Sequence, residues 1–191
     1  MDAWTVILLG GEGVGKTALA DMYTINHYWD VLQPDGPPLE PVYRKQLLLD
    51  NRMCFIDVTD TPGQDDYATL RDQRIQECQG FIFVYSITSR SSFEQVQIFR
   101  QAVRRIKRGD PILLLVGNKA DMGADREVSK EEGQALARQF GCEFIETSVK
   151  TGLNVERAFE TLLRTLRRTR EGVTPNIVEP AETKKKKCTI L

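Results

Sequence analysis

The chain has 191 residues, 41% of them apolar, and a formal net charge of −1 at pH 7. This length and apolar content predict one domain with a sizeable buried core, and a charge so close to zero gives no general attraction to nucleic acid. The sequence has no run of about 18 apolar residues that could span a membrane, and its amino-terminal segment lacks the basic region that starts a secretory signal peptide.

The first third of the chain predicts three strands and one helix. The segment "WTVILLGG" is apolar enough for a buried strand, and a helix is expected from Lys16 to about Ile25. The segment "YRKQLLLDNRMCFIDVTD" predicts two strands around a tight turn at Asp50 and Asn51.

The following residues predict three further strands with helices between them. The runs "GFIFVYSI" and "PILLLVGN" are continuously apolar, which is typical of central strands covered on both faces, and "CEFIETS" predicts a shorter strand. Ser91 with Glu94 fits a capping box at one helix start. Ser129 with Glu132 fits another. A last helix is expected from near Asn154, with an apolar face formed by Val155, Ala158, Phe159, Leu162, Leu163 and Leu166.

Strands that alternate with helices predict a doubly wound α/β sheet whose ligands bind at the carboxyl ends of the strands. From about Glu171 onward the sequence has two prolines, few large apolar residues and no period. We therefore expect a ligand-binding domain over residues 1–170 and a flexible tail over residues 171–191.

The segment "GGEGVGKT", Gly10 to Thr17, matches the phosphate-loop pattern G-x-x-x-x-G-K-[ST]. It follows a predicted strand and opens a predicted helix, a context that argues against a chance glycine-rich turn. Lys16 is expected to reach the outer phosphates, and the Thr17 hydroxyl is expected to bind Mg²⁺. The predicted nucleotide contacts of this loop are Gly10, Gly11, Glu12, Gly13, Val14, Gly15, Lys16, Thr17 and Ala18.

Two further segments predict that the base is guanine. In "NKAD", the Asp121 carboxylate can accept two N–H bonds from guanine, whereas adenine lacks those donors and would leave the carboxylate unpaired. The segment "SVK" follows the last predicted strand and closes the site. Base contacts are therefore expected from Asn118, Lys119, Asp121, Ser148, Val149 and Lys150.

The segment "DTPGQ" follows another predicted strand and supplies candidates for hydrolysis. Asp60 can support Mg²⁺ through a water molecule, the Gly63 N–H can contact the last phosphate, and Gln64 can orient an attacking water. Thr61 and Pro62 complete the predicted contacts of this segment.

These motifs, in this order, resemble the Ras family of small GTPases over about residues 4–170 and at the carboxyl terminus. The blocks "NHYWD", "YRKQ", "DTPGQDDY", "VGNKAD" and "ETSVKTG" carry the resemblance, which also implies that Tyr28 packs on the guanine edge. The resemblance implies a phosphate-loop NTPase fold: a six-stranded, mostly parallel sheet with one antiparallel strand and five surrounding helices. It further implies GTP and GDP as ligands, Mg²⁺ as cofactor, and hydrolysis with Gln64 and Lys16 as catalytic residues. The implied partners of a monomer are effectors, an exchange factor and an activating protein.

Two departures from the family pattern concern the phosphates. The loop from Asp30 to Tyr43 occupies the first switch but contains no Thr to bind Mg²⁺. Either Asp35 coordinates the metal, or the loop stays loosely attached whichever nucleotide is bound. Glu12 stands where Ras proteins have Gly. Either it crowds Gln64 and the arginine of an activating protein and sets negative charge near the last phosphate, so that hydrolysis is slow and resists stimulation, or it turns outward to solvent and pairs with a surface Arg.

Two other departures, Pro62 and Val149, replace alanines of the family pattern. The fixed φ of Pro62 stiffens the second switch, and the larger Val149 side chain is expected to loosen guanine and speed nucleotide exchange. Faster release with slower hydrolysis favours the GTP-bound form. Two interpretations stay open: a slow GTPase that signals when GTP-bound, and a GTP-loaded binding module with negligible turnover.

The tail ends in "KKKKCTIL", which fits the C-a-a-X prenylation pattern. The terminal Leu favours a geranylgeranyl group on Cys188, followed by removal of the last three residues and methylation of Cys188. Lys184 to Lys187 supply a second signal, worth about 1 kcal/mol per Lys at an anionic leaflet. The expected location is the cytoplasmic face of the plasma membrane. The prenylation pattern and "NKAD" together disfavour a third interpretation, a phosphate-loop ATPase or small-molecule kinase.

The other three cysteines, Cys54, Cys78 and Cys142, lack metal-ligand spacing and are expected to be small buried hydrophobes in a reducing compartment. A cluster of basic residues on one helix predicts a solvated face or one for an acidic partner; its members are Arg104, Arg105, Lys107 and Arg108.

Overall fold

A computed structural model of the chain describes residues 2–26, 42–61 and 68–172. In chain order its elements are β1 (Asp2–Leu9), α1 (Lys16–Ile25), β2 (Val42–Leu49), β3 (Arg52–Thr59), α2 (Ala68–Glu77), β4 (Gly80–Ser86), α3 (Arg90–Lys107), β5 (Ile112–Asn118), α4 (Lys130–Phe140), β6 (Glu143–Glu146) and α5 (Val155–Arg170), with a 3₁₀ turn at Gly123–Asp125. None of these helices is both long and apolar enough to cross a membrane.

The strands form one six-stranded sheet in the order β2-β3-β1-β4-β5-β6. β2 runs antiparallel to β3, and all other neighbours are parallel. β4 is buried along its whole length, and β5 along all but its first residue, as expected for strands covered on both faces. The sheet, with five helices in the described residues, confirms the predicted phosphate-loop NTPase fold.

The turn between β2 and β3 is as tight as predicted. Asp50 and Asn51 have φ values of 50° and 61°, and Leu49 pairs with Arg52 directly across the turn. Two successive left-handed residues match the right-handed twist of the flanking strands, so this turn fixes the register of the hairpin.

The last helix, α5, has the apolar stripe that its sequence predicts, and all six stripe residues are buried. Arg167 is buried beside them. It donates from Nε to Asp2 Oδ2 at 2.8 Å and from Nη1 to Leu49 O at 2.9 Å. These bonds attach α5 to the start of β1 and to the end of β2.

The start of α3 differs from the prediction, and the capping box of Ser91 with Glu94 is wrong. The helix begins at Arg90, and its N-cap is Ser89, whose hydroxyl accepts from Ser92 N at 3.3 Å. Ser92 Oγ in turn donates to Ser89 O at 2.8 Å. These two bonds fix the first turn upstream of Ser91, which therefore lies inside the helix.

The capping box of Ser129 with Glu132 at the start of α4 is confirmed. Cys54 and Cys78 are buried and Cys142 is half-buried, all three as free thiols. Burial raises the pKa of Cys78 to about 11 and that of Cys142 to about 12. Both thiols are therefore protonated and unreactive at neutral pH.

The basic end of α3 packs partly on α2. Arg105 Nη2 lies 2.8 Å from Asp72 Oδ2, and Lys107 Nζ donates to Gln76 O at 2.7 Å. These two basic side chains therefore help to join the two helices as well as face solvent.

Candidate functional site

Four predicted segments meet at one edge of the sheet. They directly follow β1, β3, β5 and β6, which are parallel, so their carboxyl ends lie at the same edge. Asn118, only 1% exposed, joins them: its Nδ2 donates to Val14 O at 2.9 Å, and its Oδ1 accepts from Thr147 Oγ1 at 3.0 Å. The phosphate loop is thereby attached to both segments predicted to bind the base.

The loop from Gly10 to Gly15 requires glycine at specific positions. Gly13 and Gly15 have φ values of 71° and 93°, in the left-handed region. A Cβ on Gly10 would lie 2.2 Å from Val84 O, and one on Gly15 would lie 2.5 Å from Asn118 Nδ2. The start of α1 has no side-chain cap, so its first N–H groups remain available to an anion.

Lys16, the first residue of α1, contacts the backbone of this loop. Its side chain is buried, and its Nζ donates to Gly10 O at 3.0 Å and to Gly11 O at 2.8 Å. Burial lowers the pKa of Lys16, while the negative charges of Asp60 and Glu12 raise it. Because an ammonium has three donors, these two bonds leave one for an anionic ligand.

Thr17 and Asp60 form the oxygen pair predicted for Mg²⁺. Thr17 Oγ1 donates to Asp60 Oδ2 at 2.5 Å. The other oxygen, Asp60 Oδ1, is buried and has no hydrogen-bond partner among the described residues. Burial also raises the pKa of this carboxyl. A cation would offset the cost of that burial, and Mg²⁺ typically takes one or two protein oxygens and completes its shell with phosphate and water. The pair therefore fits this ion.

Thr61 holds the start of the "DTPGQ" segment in place. Its Oγ1 donates to Leu8 O at 2.7 Å, and both atoms are buried. The bond attaches the segment that carries Asp60 to the end of β1, next to the phosphate loop.

Asp121 and Ser148 form the other half of the site. Ser148 Oγ donates to Asp121 Oδ1 at 2.6 Å and accepts from Thr151 N at 3.2 Å. Ala120 N donates to Thr147 O at 2.9 Å. Asp121 is otherwise exposed, so its carboxylate keeps acceptor sites for the N–H groups of a base.

The remaining predicted residues differ in exposure. Glu12 and Lys150 are exposed, while Ala18 and Lys119 are half-buried, Lys119 with a φ of 66°. Val149 is only 4% exposed and belongs to the buried cluster that continues into α5. Its side chain therefore packs in the core, and the expectation that it speeds nucleotide exchange stays a prediction.

Several residues singled out from the sequence lie outside the described part of the chain: Tyr28, Asp35, Pro62, Gly63, Gln64, Lys184 to Lys187 and Cys188. Conversely, Thr147 is a site residue that the sequence analysis missed. Its position directly before Ser148, in the block "ETSVKTG", was the available signal.

A phosphate loop after the first strand of a sheet in this order defines the class of phosphate-loop nucleotide-binding proteins. Residues 5–168 match the Ras family, and the chain belongs to that family of GTP-binding signalling GTPases.

Three fungal relatives show the extent of the similarity. The chain is 43% identical over 185 residues to Ras-like protein 1 of Pyricularia oryzae, covering 87% of this chain and 76% of that protein. It is 45% identical over 166 residues to a Ras-like protein of Laccaria bicolor, covering 86% and 78%. It is 40% identical over 195 residues to Ras-like protein B of Aspergillus fumigatus, covering 90% and 80%. The resemblance drawn from the motifs is thus confirmed.

Proposed function

We propose that this chain is a lipid-anchored switch that binds GTP and GDP with Mg²⁺, hydrolyses GTP slowly and binds effector proteins in its GTP form. The observation that carries the nucleotide site is the pair of bonds that Asn118 makes to Val14 and to Thr147. Those bonds join a phosphate-binding half to a base-binding half.

Each half contributes a distinct chemistry in this proposal. Lys16 neutralises the outer phosphates, and the uncapped start of α1 adds a favourable dipole. Thr17 and Asp60 hold Mg²⁺, which offsets phosphate charge when it is bound. Asp121 accepts the N–H donors of guanine, and Gln64 orients the water that attacks the last phosphate.

Slow hydrolysis is supported by Glu12. Its charge acts on the Lys16 ammonium, so it weakens the positive field that Lys16 offers to phosphates. Its exposed side chain also occupies space that an activating protein would need beside the loop.

The second candidate function is a GTP-loaded binding module with negligible turnover. Glu12 favours it, and so does the sequence from Asp30 to Tyr43, which contains no Thr. The presence of Gln64 argues against it, because this side chain has no evident use without hydrolysis.

Single-turnover hydrolysis of GTP by the full chain with Mg²⁺ tests the proposal. Wild type is expected to turn over measurably, and Gln64→Leu is expected to lose that turnover. Glu12→Gly is expected to hydrolyse faster in the presence of an activating protein. Glu12→Gln is the matched control, because it removes the charge at nearly constant size and so separates the effect of charge from that of crowding.

The possible outcomes separate the candidates. If wild type binds GTP tightly but shows no hydrolysis over the time course, the chain is the GTP-loaded binding module instead. An unchanged stimulated rate in Glu12→Gly would refute the role given to Glu12. Failure of wild type to bind either nucleotide would refute the whole site.

Membrane anchoring rests on the sequence of the tail. A geranylgeranyl group on Cys188 supplies one lipid, and Lys184 to Lys187 add about 4 kcal/mol at an anionic leaflet, which favours the cytoplasmic face of the plasma membrane. Sedimentation of the prenylated full chain with phosphatidylserine vesicles tests this part. Binding should weaken when the four lysines are changed to Gln and disappear in Cys188→Ser. Equal binding of Cys188→Ser would rule out the lipid anchor.

A further inference from the structure

Arg126 and Glu146 form a bidentate ion pair next to the proposed base-binding segments. Arg126 Nη1 lies 2.6 Å from Glu146 Oε1, and Nη2 lies 3.2 Å from Oε2. Nη1 also donates to Val128 O at 3.0 Å. The two side chains are only 27% and 13% exposed, so solvent screens this pair less than it screens the exposed pairs of the surface.

The pair joins two segments that each carry a proposed base contact. Glu146 ends β6, directly before Thr147. Arg126 directly follows the 3₁₀ turn Gly123–Asp125, in the loop that leaves β5 and contains Asp121. The same loop is attached to the β6 segment at its start, where Ala120 N donates to Thr147 O at 2.9 Å. A loop that is attached to the β6 segment on both sides of Asp121 has little freedom to carry Asp121 away from it.

The backbone on each side of the pair is itself fixed. Asn154 Nδ2 donates to Glu146 O at 2.9 Å. On the other side, the N–H groups of Glu127 and Val128 both donate to Ile87 O, at 2.8 and 3.0 Å. The ion pair therefore connects two anchored backbone points, and its planar, two-bond geometry sets their relative direction.

We propose that Arg126 and Glu146 are positioning residues for guanine recognition. They hold the Asp121 loop against the Ser148 segment and so set the selectivity for the base. This inference deepens the proposed function and rests on it. The pair acts through Asp121 and Ser148, which are joined at 2.6 Å. A small shift of the loop would misalign the two N–H bonds from guanine to Asp121, and such bonds weaken steeply with angle.

Inosine diphosphate (IDP) provides the readout, because it lacks the 2-amino donor of guanine and depends less on the alignment of Asp121. Arg126→Met removes the guanidinium group that pairs with Glu146 and keeps much of the side-chain volume. It should speed the release of both nucleotides but of GDP more, so that the ratio of the IDP to the GDP release rate falls about tenfold. Glu146→Gln should have the same effect. Arg126→Lys keeps the positive charge but cannot form the bidentate pair. It should therefore lower the ratio of the IDP to the GDP release rate by less than Arg126→Met does.

Arg164→Met is the matched control. Arg164 is a half-buried arginine with 35% exposure, and its Nε lies 3.1 Å from Asp50 Oδ1. This pair sits at the turn between β2 and β3, at the edge of the sheet opposite the site. The substitution should leave the IDP-to-GDP ratio unchanged, whatever it does to the thermal unfolding midpoint.

Stopped-flow release of ribose-labelled GDP and IDP from the full chain with Mg²⁺ measures the ratio. Equal acceleration of both nucleotides in Arg126→Met and Glu146→Gln, or no acceleration, would overturn the proposal, because a merely structural role does not distinguish the bases. If Arg126→Met does not fold, Arg126→Lys and Glu146→Gln decide, and an unchanged ratio in both overturns it. A wild-type chain that binds no GDP would instead refute the proposed function, so the two failures are distinguishable.

Discussion

Replacing Gly15 by Ala should disconnect the two halves of the nucleotide site. The added Cβ would lie 2.5 Å from Asn118 Nδ2, at a residue whose φ is 93°. Asn118 has no room to move, because it is 1% exposed and its side chain bonds Val14 O on one side and Thr147 Oγ1 on the other. Gly15→Ala therefore forces either the phosphate loop or Asn118 out of position.

The expected loss combines backbone strain and a broken hydrogen bond. Ala in the left-handed region costs about 1–2 kcal/mol relative to Gly, and a buried polar group that loses its partner costs about 1–3 kcal/mol. The variant relieves the clash by displacing the loop or Asn118, and nucleotide binding requires both in their original positions, so this cost is expected when nucleotide binds. A sum of about 3 kcal/mol corresponds to GDP binding that is roughly a hundredfold weaker.

Titration calorimetry of GDP into the full chain measures this loss against two controls. Gly13 and Gly141 have φ values of 71° and 70°, and a Cβ on either would meet nothing within 4 Å. Gly13→Ala should therefore weaken GDP binding by strain alone, roughly tenfold. Gly141→Ala, at the end of α4, should lower stability by about 1 kcal/mol without affecting GDP. Equal GDP affinities for Gly13→Ala and Gly15→Ala would refute the argument that Asn118 connects the two halves.

Three further predictions concern parts of the fold that support the site. Val149→Ala removes two buried carbon groups and should lower the free energy of unfolding by about 2 kcal/mol in denaturant titrations; unchanged stability would contradict the burial of this side chain. Arg167→Ala removes the buried bonds to Asp2 and Leu49, while Arg170 still pairs with Asp2, so it should cost about 2 kcal/mol in the same assay; a loss below about 0.5 kcal/mol would contradict the pairing. The Arg90 guanidinium holds the pKa of the Glu132 carboxyl at about 2, against an ordinary value of 4.5. The stability that this contact contributes is therefore present above about pH 4.5 and is lost as the pH falls towards 2. In Glu132→Gln the thermal unfolding midpoint should fall less steeply over that pH range than in wild type. Parallel plots of the midpoint against pH for the two proteins would exclude this role for the Arg90–Glu132 contact.

The features that the sequence predicts correctly depend on neighbouring residues alone. A continuous apolar run predicts a strand covered on both faces, and glycines at fixed spacing before a Lys and a Thr predict a phosphate loop. The start of α3 shows the limit of such patterns, because Ser89, Ser91 and Ser92 all have the chemistry of an N-cap. The choice depends on a tertiary contact, since Ser86 N at the end of β4 donates to Ser92 Oγ at 3.0 Å.

The Arg126–Glu146 pair could not be predicted from the sequence for a related reason. Two opposite charges on either side of α4 have no spacing that marks them as partners. They meet because β5 and β6 are parallel neighbours whose ends emerge at the same edge. The burial of Lys16 depends in the same way on where the loop carbonyls of Gly10 and Gly11 lie.

The attachment of α5 to β1 affects how the chain reaches its native state during synthesis. The bond from Arg167 to Asp2 joins residues 165 positions apart, and the ring of Tyr23 in α1 stacks on that of Phe159 with centroids 3.8 Å apart. β1 can pair with β3 and β4 once about half of the chain has been made, but Asp2 and Tyr23 lack their partners in α5 until nearly the whole chain has left the ribosome. Contacts of such long range slow folding, and the incomplete domain exposes apolar surface in the meantime. Chains that end before α5 are thus expected to be more prone to aggregation than the full chain.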